Sequence, residues 1–69
     1  MVLVFKTNIN SRQKIRELSP VLNDMDTISK WNVDLQDRDN VLRIESPDNI
    51  AATIKDTLEA IGFACEELE

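Results

Sequence analysis

The stretch ISKWNVDLQDRDNVLRIE, residues 28–45, alternates apolar and polar positions on both sides of a polar centre. Trp31, Val33 and Leu35 share one face of an extended chain, and Lys30, Asn32 and Asp34 share the other. Such period-two alternation marks a strand with one face buried and one in water, the habit of antiparallel sheets. Gln36 to Asn40 is polar and turn-prone, and Val41 to Glu45 resumes the alternation with Leu42 and Ile44 inward. The spacing predicts a hairpin of two strands, Ile28–Leu35 and Val41–Glu45. An isolated hairpin is marginal in water, so the flanking sequence must cover its apolar face.

Downstream, Ser46 reads as a helix N-cap, Pro47 as the first helical residue and Asp48 as a favourable first-turn charge. Ile50, Ala51, Ile54, Leu58 and Ile61 form an apolar stripe at helical spacing, and Gly62 is placed to end the helix in a left-handed conformation. Phe63–Leu68 then reads as a short strand with Phe63 and Cys65 inward. Upstream, Asn23–Thr27 is a polar turn. Before it, Ser11 is a cap for a helix reaching Leu22, with Ile15, Leu18 and Leu22 on one side. Pro20 inside that pattern removes the bond to the Arg16 carbonyl and predicts a bent last turn. Asn8–Asn10 is a loop, and Met1–Thr7 is a strand with Leu3, Phe5 and Thr7 on one face.

The predicted order is strand, helix, strand, strand, helix, strand. One face of the sheet is apolar, so both helices must lie on it. This is the α+β class, a ferredoxin-like βαββαβ sandwich with a four-stranded antiparallel sheet and two helices on one face. No linker, repeat or composition break divides the 69 residues, so they read as a single domain, 1–69. In the predicted register Trp31 is core, whereas a slip of one residue would expose it as a binding anchor.

Composition narrows function. At 42% hydrophobic and 30% charged the chain can bury a core, which excludes a disordered class. No apolar run is long enough for a membrane span or a signal peptide. The single cysteine, Cys65, allows no internal disulfide and fits a reducing, cytoplasmic setting. There is no histidine, which removes the usual general base, the commonest metal ligand and every His-paired nucleophile. The carboxylate pairs Asp37/Asp39 and Glu66/Glu67 sit in a turn and near the terminus, where solvated charge is the ordinary outcome. An enzyme is not expected, nor is a cofactor. The net charge of −5 argues against a nucleic-acid partner. It is unevenly spread, with four basic residues against one acid up to Leu22 and four against twelve beyond it. A basic end of this kind suits docking to a protein partner.

Phe5-Lys6-Thr7-Asn8-Ile9-Asn10, running into a helix with Leu18 and Leu22, resembles the first strand, metal loop and first helix of the heavy-metal-associated domain, the family of small copper chaperones. Ile28, Val33, Asp34 and Leu35 are similar to its second strand, and Ala60-Ile61-Gly62-Phe63 to its ending. The resemblance covers the whole chain. It implies a loop of the type Met-x-Cys-x-x-Cys, in which two thiolates at a helix start grip one soft ion such as Cu(I). Here the matching positions hold Ile9, Ser11 and Lys14, so both thiolates are missing and a cation stands in their place. The implied role is therefore an interaction or regulatory module in metal handling, monomeric or weakly dimeric, docking through Arg12, Lys14 and Arg16. These basic side chains beside a helix start also suit an anion. The alternative is residual Cu(I)-type binding and transport, with Cys65 shared between two chains. Otherwise Cys65 is a small buried hydrophobe, and Phe63 packs beneath the loop as core.

Overall fold

A computed structural model describes residues 1–68. The chain runs β1 (Val2–Thr7), α1 (Arg12–Asn23), β2 (Lys30–Asp34), β3 (Val41–Glu45), α2 (Ala51–Ala60) and β4 (Cys65–Glu67). The strands form one sheet in the order β2-β3-β1-β4, with antiparallel neighbours throughout. This is the expected ferredoxin-like βαββαβ fold.

Register explains the core. Trp31 pairs with Ile44 and Val33 with Leu42 across β2 and β3, while Leu3 pairs with Ile44 and Phe5 with Leu42 across β1 and β3. The inward residues of three strands thus align in rows. Leu18 and Leu22 of α1, Ile54 and Leu58 of α2, and Ile9, Phe63 and Cys65 complete one apolar cluster on that face. Trp31 follows the inward register. It is half-buried against the core, and its indole N–H donates to the Asn23 side chain at 2.9 Å.

Both helix ends have local causes. Ser11 is extended at φ −150°, and its Oγ accepts from the Lys14 N–H at 3.3 Å, as an N-cap should. The helix passes through Pro20 to Asn23 despite the lost bond to the Arg16 carbonyl, and the Pro20 carbonyl accepts from the Asp24 N–H at 3.2 Å. At the end of α2, Gly62 has φ 93°. The Phe63 N–H reaches back to the Leu58 carbonyl (2.9 Å) and the Gly62 N–H to that of Glu59 (3.1 Å), which closes the helix in a Schellman turn.

Several boundaries differ from the sequence reading. Ser46 does not cap α2. Its N–H is still bonded to the Met1 carbonyl beside the sheet, and its buried Oγ accepts from the Asp48 N–H at 3.2 Å. Pro47 and Asp48 belong to the connection that follows, so the helix starts only at Ala51. Ile61 falls beyond the last helical turn and is 43% exposed, which removes it from the apolar stripe. β2 is shorter than predicted, because the Asp34 carboxylate accepts the Gln36 and Asp37 N–H groups and starts the turn there. Phe63 is buried ahead of β4, which is three residues long.

Candidate functional site: the loop before α1

The loop between β1 and α1 is pinned from three sides. Thr7, the last residue of β1, is buried. Its Oγ1 donates to the Asn40 carbonyl at 2.6 Å and accepts from the Ile9 N–H at 3.1 Å. Asn40 reaches that position with φ 47°, a left-handed conformation Asn tolerates, at the end of the β2–β3 turn. The Thr7 N–H also donates to the Asp39 carbonyl at 3.1 Å. On the other flank, the Asn8 side-chain oxygen accepts from the Ala64 N–H at 3.0 Å. Finally, the Lys14 ammonium donates back to the Asn8 carbonyl at 3.3 Å. Ile9, between these ties, is fully buried.

Sequence reasoning missed Thr7 as the organiser of this loop. Its place on an inward face beside Asn8 was the available signal, since a hydroxyl there needs backbone partners. A Thr7→Val variant keeps the shape and removes both bonds, leaving the buried Ile9 N–H and the Asn40 carbonyl short of a partner. The expected loss is about 2 kcal/mol in urea unfolding, with faster amide exchange at Ile9.

The structure divides the basic residues. Arg12 and Arg16 are exposed and lie one helical turn apart, on one side of α1. Lys14 is half-buried and tied to the loop. At this loop the Ile9 side chain has no donor atom, the Ser11 hydroxyl is engaged as the helix cap, and the Lys14 ammonium brings positive charge. Among the described residues no three Cys, Asp or Glu side chains gather to hold a metal ion.

Cys65 pairs in register with Thr7 and lines an open cleft of about 530 Å³ with Asn8, Lys55 and Glu59. Burial is the main force pushing its thiol up from 9.0 to about 11; the Glu59 charge adds to this and Lys55 partly offsets it. The protonated thiol is a poor ligand near neutral pH. In the unfolded chain the thiol ionises near 9.0, before the folded one does. The Cys65 contribution to stability is therefore fully present below pH 9 and is lost as pH rises from about 9 to about 11. Denaturant melts across that range should show the decline, and Cys65→Ala should flatten it.

The acidic pairs lie in the β2–β3 turn and on β4. The Asp37 carboxylate accepts from the Asp39 N–H at 2.9 Å within the turn, while Glu66 and Glu67 are exposed. Lys6 lies 3.8 Å from Asp39, an exposed ion pair of small energetic weight. Among the described residues no helix is long and apolar enough to cross a membrane.

No protein-family model and no curated protein matches this sequence. Among solved structures, it is similar to the N-terminal domain of ZntA, determined in solution in its Zn(II) form. The TM-score is 0.82, and the match covers 99% of this chain and 92% of that one at 12% identity. At that identity the likeness establishes the architecture, and this chain has the βαββαβ fold of a domain known in a zinc-loaded state.

Proposed function

We propose that this chain is a heavy-metal-associated-type domain that has lost the metal and acts as a non-enzymatic protein-interaction or regulatory module in a cytoplasmic metal-handling system. The Lys14 ammonium, held 3.3 Å from the Asn8 carbonyl, carries this reading. It sets a positive charge across the loop at the turn where the heavy-metal-associated domains it resembles hold a cation between thiolates, so repulsion adds to the lack of sulfur. The fold shared with a zinc-loaded domain supports the metal-handling setting. Arg12 and Arg16, exposed on one side of α1, give the docking surface its charge and fit an acidic protein partner. Residual Cu(I) binding through Cys65 has the weaker support, because each chain brings a single, buried thiol.

Titration with Cu(I) and with Zn(II) against a competing chelator tests the loss of metal. The expected result is no stoichiometric uptake, and a dissociation constant below about 1 µM would overturn the proposal. Comparing proteins captured by the wild type and by Arg12→Glu/Arg16→Glu tests docking. An unchanged set would defeat it.

A further inference from the structure

We infer that β2 is a self-complementary edge through which two copies of this chain join their sheets. The strand order leaves β2 and β4 as the two edges. The Ser46 N–H donates to Met1, so even-numbered β3 residues bond toward β1 and odd-numbered ones toward β2. Arg43, Glu45 and Val41 therefore bond with Asn32, Lys30 and Asp34. The backbone groups of Trp31 and Val33 point off the sheet, free to pair.

A two-fold axis through Asn32 satisfies them. Trp31 then faces Val33 of the second copy, and Val33 faces Trp31, closing four backbone bonds. On the polar face, Lys30 falls opposite Asp34 of the second copy, and Asp34 opposite Lys30. These are non-hydrogen-bonded pairs, the class in which side chains lie closest. All four charged groups belong to exposed residues, and because the turn N–H groups of Gln36 and Asp37 both bond to Asp34 Oδ1, Oδ2 is left to face the ammonium. On the inner face the half-buried Trp31 and Val33 form two aromatic–β-branched pairs that cover each other's open flanks. The β4 edge lacks this symmetry, because a two-fold axis through Glu66 or through Glu67 sets that glutamate against its own copy as a like charge. Five-residue strands bury little area, so the dimer is weak and concentration-dependent.

Sedimentation equilibrium over roughly 10 µM to 1 mM reads the association. Lys30→Glu alone puts a second carboxylate opposite Asp34, and Asp34→Lys alone puts a second ammonium opposite Lys30. Each variant should therefore dimerise about tenfold more weakly than the wild type. An equimolar mixture restores two opposite-charge pairs and should associate about as tightly as the wild type. Misfolding of either variant cannot produce that rescue, and far-UV circular dichroism checks each fold. A wild type monomeric throughout, charge variants that dimerise unchanged, or a mixture that does not associate would overturn the inference. So would a dimer lost in Cys65→Ser, which would place the contact at the opposite edge.

Discussion

A Ser11→Cys/Lys14→Cys variant is expected to take up one Cu(I) per chain where the wild type takes none. The two positions lie three residues apart at the start of α1, so their side chains share one side of the first turn. The helix start favours thiolates over thiols, and the substitution removes the ammonium that spans the loop. Two soft, charged ligands then converge on one ion. The gain should be at least about a thousandfold, near 4 kcal/mol of binding energy. Loss of the Ser11 cap costs about 1 kcal/mol of helix stability, which bound metal offsets once its free concentration passes about ten times the dissociation constant. Each single variant should stay weak, since one sulfur cannot grip the ion alone. A double variant that binds no more tightly than the wild type would show that the loop's geometry, and not its ligands, had been lost.

The second large effect is on the fold. Phe5 is fully buried on β1, a central strand, opposite Leu42 of β3 and Glu67 of β4. Truncation to alanine removes a ring from the middle of the cluster and leaves a cavity that packed neighbours on both sides cannot fill. The expected loss is about 3–5 kcal/mol. A chain of this length has a total stability of roughly 3–10 kcal/mol, so Phe5→Ala should unfold much of the population near body temperature. Urea melts followed by circular dichroism measure this. Val2→Ala is the control, because Val2 is 57% exposed and should change stability by about 0.5 kcal/mol or less.

Residues 28–45 made the hairpin legible because period-two alternation leaves little choice of face. The α1 cap at Ser11 and the Gly62 turn were equally readable, since each depends on one residue type meeting one backbone need. Ser46 misled for a physical reason. Ser-Pro-Asp is a good helix start locally, but the strand's last backbone bond to Met1 held Ser46 at the sheet and delayed the helix to Ala51. Around the loop, the letters at Ser11 and Lys14 give a hydroxyl and an ammonium, and the helix cap and the tie to Asn8 show how each is used. The tertiary ties were not legible, because Thr7 to Asn40 and Asn8 to Ala64 join positions far apart in the chain. Local patterns carry no information about such pairs.

Trp31 is the sole indole in the chain, half-buried and hydrogen-bonded to the end of α1. In the single chain its fluorescence therefore reports the seam where the first helix closes over the outermost strand, and no other indole blurs the signal. Any event that loosens that seam should shift the emission to the red before circular dichroism records a change in backbone content. The molecule carries its own optical gauge at the place where local opening and global unfolding can be told apart.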